Sequence, residues 1–317
     1  MENRDAGSIE FSDMKRLNVI NKYFTFLAVL CLISVSNDCQ KPKPVDLNLP
    51  LSDVVIHSTA AYSSLLSTDD IDSSKLFSPL EVKGMGQLLI EGAEYDSRVE
   101  HHTASIARAL FYDGSSPLVI GSDTVYPALN VGTIKIDNLT LGITSKHFLD
   151  SAGTTDTVLG VQYLLFNKDG VGGNGFTYVG NQEYHWNCPG NGRITAFDQA
   201  VTAPPSIHVV YPNERTTVRS SSDLLMHWTG GADTVRIYVR ELNNGIPGKS
   251  WLNVIVKNKS GSVNIPKSLL QLLPHDQTEF MFTVTSSRNT IVNLDGFAGD
   301  VVVQAVTSHN LVLQVKP

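Results

Sequence analysis

After Pro50 no long amphipathic helix stands out in this chain. What recurs is a short run of Val, Ile, Tyr, Phe or Thr, closed by Gly, Asn, Asp or Pro, and then another such run. Alternation over a handful of residues between turn signals is the pattern of half-buried strands. Its repetition predicts an all-β protein of sandwich type.

The pattern is clearest near the carboxy terminus. Ile207, Val209 and Tyr211 alternate before the turn signal Pro212-Asn213. Leu224, Met226 and Trp228 alternate next, followed by Val235, Ile237 and Val239 with Arg236, Tyr238 and Arg240 on the opposite face. Gly230 and Gly231 permit a tight reversal between them. Trp251–Val256, Ser262–Ile265, Glu279–Thr285, Thr290–Leu294, Asp300–Thr307 and Asn310–Val315 continue the strand series. Pro266–Leu273 is expected to hold one short helical turn. The best boundary upstream is Val201-Thr202-Ala203-Pro204-Pro205, since paired prolines donate no ladder hydrogen bonds. This places two β-sandwich modules at residues 51–200 and 206–317, joined by a linker at 201–205.

The stretch YPNERTTVRSSSDLLMHWTGGADTVRIYV, Tyr211 to Val239, resembles the opening of immunoglobulin-like modules in secreted bacterial proteins. The resemblance covers roughly the last third of the chain and implies an immunoglobulin-like sandwich. It brings no catalytic residue. The paired cysteines of antibody domains are missing, so Trp228 must pack without a disulfide.

The first module is less legible. Ile106–Tyr112, Pro117–Ile120, Gly132–Leu139, Val158–Phe166, Phe176–Trp186 and Arg193–Phe197 are expected strands, with Asp113-Gly114 and Asp169-Gly170 as hairpin signals. Ser97–Leu110 fits a helix as well as a strand. Phe111–Leu141, with the later stretch YHWNCPGNGRITAFDQAVTAPPSIHV, resembles uncharacterised secreted lipoproteins of Bacteroidetes-like bacteria, a likeness that brings no activity with it.

The amino terminus carries an address. Lys15, Arg16 and Lys22 precede the apolar run Phe24–Val35, which is short for a bilayer span. A basic start and a short apolar stretch predict a signal peptide within residues 1–38, with Met14 a plausible start. Cys39-Gln40-Lys41 then resembles the lipid-bearing cysteine of a bacterial lipoprotein signal, although Asp38 stands where such signals carry a small residue. Ordinary signal cleavage nearby is the alternative to lipidation at Cys39. Lys41-Pro42-Lys43-Pro44 suits an extended tether over residues 39–50. Of three cysteines only Cys188 lies beyond this region, so no internal disulfide is expected there.

Composition narrows the partners. Charged residues are only 17% of the chain, and Lys plus Arg is 24 against Asp plus Glu at 31, a net charge of −7. No basic run or Arg-aromatic stripe is visible, which argues against nucleic acid. Contact with a membrane is expected only through an amino-terminal lipid. An extracellular glycan or an envelope protein is the expected partner.

Gly170-Val171-Gly172-Gly173-Asn174-Gly175 matches a dinucleotide fingerprint, but a β pattern follows it and supplies no helix amides, so a hairpin loop is expected. Asp169 and Asn174 lack the repeating acids of a calcium loop. His101 and His102 point to opposite faces of a strand, and nothing in the spacing nominates a metal ligand set for either. Asp69, Asp70 and Asp72 are too close together to be a separated acid and base. No cofactor and no catalytic residue is nominated. In E-Y-H-W-N-C, Glu183–Cys188, alternation puts Tyr184, Trp186 and Cys188 on one face and Glu183, His185 and Asn187 on the other, which separates His185 from Cys188. Tyr178, Tyr184 and Trp186 share parity and are candidate ligand contacts if their face is exposed. Aromatic stripes in strands usually pack inward, which favours core.

The functional expectation is a non-catalytic binding or adhesion protein, exported to the cell envelope or outer surface and lipid-anchored. The alternatives are a glycan-active secreted hydrolase with an accessory immunoglobulin-like domain, and a structural spacer in an envelope complex.

Overall fold

The computed structural model describes residues 54–57, 84–120, 123–149, 156–168, 175–243, 246–257, 261–276 and 278–317. The signal peptide, Cys39, the tether, the Asp69–Asp72 acids and most of the 169–175 glycine-rich loop lie outside the described residues. In chain order the strands of the first half are β1 (Val54–His57), β2 (Gly86–Asp96), β3 (His101–Phe111), β4 (Leu118–Ile120), β5 (Asp123–Val125), β6 (Lys135–Ile136), β7 (Leu139–Thr140), β8 (Gly142–Leu149), β9 (Asp156–Lys168), β10 (Glu183–Cys188) and β11 (Phe197–Thr202). Those of the second half are β12 (His208–Tyr211), β13 (Thr217–Arg219), β14 (Leu224–Thr229), β15 (Val235–Asn243), β16 (Ile246–Val256), β17 (Ser262–Ile265), β18 (Glu279–Asn293) and β19 (Asp300–Lys316). One short helix, α1 (Lys267–Leu270), follows Pro266 as expected. The protein is all-β.

A ten-stranded sheet runs in the order β1-β16-β15-β18-β19-β2-β3-β9-β8, with β13 also paired to β19. Three smaller sheets accompany it: the β4-β5 pair, and β11-β10-β6-β7 and β12-β14-β17, which each contribute to one of the two main hydrophobic cores. The first core contains Leu88, Ile90, Phe111, Ile134, Tyr184 and Trp186. The second contains Trp228, Ile237, Val254, Phe280, Phe282 and Leu313.

The two cores share the β18–β19 hairpin. Val301, Val303 and Ala305 belong to the first core, and Leu311, Leu313 and Val315 to the second. All six have the same parity and therefore occupy one face of one strand. β18 behaves alike, with Phe280, Phe282 and Val284 in the second core, Val292 packed against the first, and Leu294 just beyond its end in the first. The first core thus draws on residues well beyond the Pro204-Pro205 linker.

Three local expectations change. Of the segment Ser97–Leu110, which fits helix or strand, His101–Leu110 is strand and Ser97–Glu100 is a turn, because β2 and β3 pair antiparallel from Gly86↔Phe111 to Asp96↔His101. Phe176–Trp186 is not one strand. Asn181 turns at φ 65, and regular structure begins only at Glu183. Gly132–Leu139 splits into β6 and β7 around Asp137 at φ 49, whose carboxylate accepts the His185 amide at 2.9 Å.

Candidate functional site

Two places on the described surface bring polar groups together. The first lies at the seam between the cores, on the face of β2 and β19 that elsewhere packs inward. Along β2 this face runs Leu88, Ile90, Gly92, Glu94, Asp96, so the apolar stripe ends in two carboxylates. Register then supplies the neighbours. Glu94 lies opposite His309 of β19, and Asp96 lies opposite His101 of β3. β12 crosses above and adds His208.

The distances form a connected network. Asp96 Oδ1 is 2.5 Å from His101 Nδ1, and Asp96 Oδ2 is 3.0 Å from His309 Nε2. Glu94 Oε2 is 2.9 Å from His208 Nδ1 and 3.6 Å from His309 Nδ1, while Glu94 Oε1 is 3.9 Å from His101 Nδ1. The His208 and His309 rings are tilted against one another at 5.1 Å. Two overlapping sets, Glu94–His208–His309 and Glu94–Asp96–His101, each have ligand-capable atoms within 4.8 Å of one another.

His309 is the buried member, with its side chain 0% exposed, whereas those of His101 and His208 are 60% and 52% exposed. The Val209 amide donates to His309 Nδ1 at 2.9 Å. That bond occupies the Nδ1 lone pair and assigns the proton of the neutral ring to Nε2. Nε2 faces Asp96, close to the carboxylate but not aligned with it, and has no good hydrogen bond. Burial pushes the His309 pKa below the ordinary histidine value, against the pull of Glu94 and Asp96.

The second place is an open groove of about 570 Å³ lined by Glu183, Ala200, Val201, Thr202, Arg288, Asn289 and Thr290. It lies where two strands run out of partners. β11 ends its sheet, and β15 pairs with β18 only as far as Val235↔Ser286, leaving one edge of Ser287–Asn293 open among the described residues. Arg288 reaches across and donates to the Ala203 carbonyl at 3.3 Å.

The candidate ligand contacts lie elsewhere. Tyr184 and Trp186 are fully buried in the first core, and Tyr178 packs against it. The Tyr178 ring lies on Gly92 of β2, stacks with Tyr184 at 6.4 Å and donates its hydroxyl proton to the Pro204 carbonyl at 2.8 Å. The Tyr184 hydroxyl accepts the Val179 amide at 2.6 Å. Tyr184 and Trp186 are thus part of the core, and Tyr178 lies half-buried against it. β10 alternates exposed and buried from Glu183 to Cys188, which keeps His185 away from Cys188. Cys188 is a buried free thiol whose pKa is raised by desolvation, the state of an inert core cysteine.

His101 is the one seam residue that the sequence singled out. A signal for two more was present in E-Y-D-S-R-V-E-H, Glu94–His101. With β2 and β3 joined by the Ser97–Glu100 turn, Glu94, Asp96 and His101 share a face. His208 and His309 come from strands more than a hundred residues away, and no local pattern could add them.

No family model matches the chain, and no curated protein is significantly similar to it.

Proposed function

We propose that this is an exported, lipid-anchored protein of the cell envelope that binds a partner without catalysis. The observation that carries this reading is the open polar groove between the free edges of β11 and β18. Unpaired strand edges offer rows of amides and carbonyls, and an extended polypeptide binds such edges by adding a strand. Tyr184 and Trp186 are inside the core, Tyr178 is half-buried against it, and none of the three lines the groove, so a polypeptide segment of an envelope protein suits the groove better than a glycan. Among the described residues the groove presents one carboxylate, Glu183, whereas glycoside hydrolysis uses two facing ones. Export is supported by Lys15, Arg16, Lys22 and the apolar run to Val35, and anchoring by Cys39 followed by the Lys-Pro tether. The second sandwich is taken as immunoglobulin-like, a reading supported by the Tyr211–Val239 pattern and by Trp228 buried in its core.

The test is a paired screen of the full chain against a displayed peptide library and a glycan array. Selected peptides should lose about tenfold in affinity, roughly 1.4 kcal/mol, with Arg288→Glu, which reverses a charge on the groove wall. Glycan binders without peptide binders would refute the proposal. Mass analysis of the amino terminus of protein recovered from membranes should show a lipid on Cys39, and Cys39→Ser should release the protein.

A further inference from the structure

We propose that Glu94, Asp96 and His101 form a binding site for one divalent transition-metal ion, with zinc the best match. Two carboxylates with one imidazole make a mixed oxygen and nitrogen donor set. That set suits a borderline metal better than calcium, which takes oxygens alone. The spacing fits. Donors each 2.0–2.1 Å from a tetrahedral centre stand about 3.3 Å apart. His101 Nδ1 lies 2.5 Å from Asp96 and 3.9 Å from Glu94, which brackets that value, while His208 holds the other oxygen of Glu94 at 2.9 Å from outside the donor set. The nearest cation in sequence, Arg98, is turned to Thr217 Oγ1 at 3.4 Å and does not neutralise the pair.

A second observation is independent of the cluster's composition. The fully buried His309 aims Nε2 at Asp96 from 3.0 Å without a good hydrogen bond. Its Nδ1 is already taken by the Val209 amide, so His309 is placed to hold Asp96 and not to bind the ion itself. Carboxylate ligands are commonly fixed by such an outer donor. The ion would join β2 to β3 where Asp96 lies opposite His101. It would act as a clasp at the base of the β2–β3 turn.

The test is titration of the chelator-stripped full chain with zinc, and with cobalt(II) for its visible absorption. One equivalent should bind, and the cobalt spectrum should show imidazole ligation. Asp96→Ala and His101→Ala should each weaken binding by at least about 100-fold, above the 10–100-fold typical of an outer-shell loss. His101 is exposed, so its variant should fold, which circular dichroism checks. His185→Ala removes an unrelated exposed histidine beside Glu183 and Asp198 and should leave affinity unchanged. For the positioning role, His309→Leu should lower affinity by about 10–100-fold. His309→Gln keeps an acceptor for Val209 and a donor toward Asp96, and should restore it. Absence of saturable binding, or binding that survives Asp96→Ala and His101→Ala together, would overturn the site. Equal losses in His309→Gln and His309→Leu would overturn the role of His309.

Discussion

Trp186 and Cys188 sit two residues apart on the buried face of β10, and their chemistry there is that of packing. Trp186→Ala should cost about 3–5 kcal/mol, the usual range for emptying a buried aromatic site. His185→Ala, one residue away on the exposed face, should stay within about 0.5 kcal/mol. Urea denaturation compares the two. For Cys188 the folded pKa is raised, so the native state favours the neutral thiol. Its contribution is complete below the unfolded thiol pKa of about 8.5 and is lost as pH climbs from there toward the folded value. Stability curves of wild type and Cys188→Ala should therefore run parallel below pH ~8 and converge above it. At this scale the sequence was legible. Strict alternation in E-Y-H-W-N-C is enough to separate the two faces, because a strand has a period of two.

Elements were legible in kind more than in extent. β19 looked like two strands because Ser308-His309-Asn310 interrupts its apolar run, and Ser286–Asn289 interrupts β18 likewise. Polar residues persist inside these strands because neighbours satisfy them. Thr283 donates to Asn310 Oδ1 at 2.7 Å, Ser308 donates to Glu91 at 3.3 Å, and His309 accepts from Val209. Such partners lie on other strands and leave no local mark. Phe176–Trp186 shows the converse. Its parity pattern suggested one strand, yet Tyr178 reaches the core from an irregular segment by lying over Gly92. A Cβ at Gly92 would stand 2.4 Å from the Tyr178 ring, so something must move. Gly92→Ala should cost about 1–3 kcal/mol, as overpacking does, and Gly92→Ala with Tyr178→Ala should cost less than the sum of the two single changes. Thermal melts of the three variants decide this.

The molecule as a whole is two cores built on one hairpin. A fragment of residues 206–317 would carry Val292, Leu294, Val301, Val303 and Ala305 without the strands that cover them. It should bind a hydrophobic dye and self-associate more strongly than the full chain. The apolar patterning made two cores readable, but the long hairpin that serves both was hidden by its polar middle. That middle also forms the seam, and the free edge of β18 along the groove begins there. Hydrogen exchange on the full chain, with and without a peptide selected from the library, tests the binding account most directly. The account predicts slowed exchange confined to Ala200–Thr202 and Ser287–Asn293. A library that yields no binder, or a bound peptide that protects other strands and leaves these amides unchanged, would contradict it.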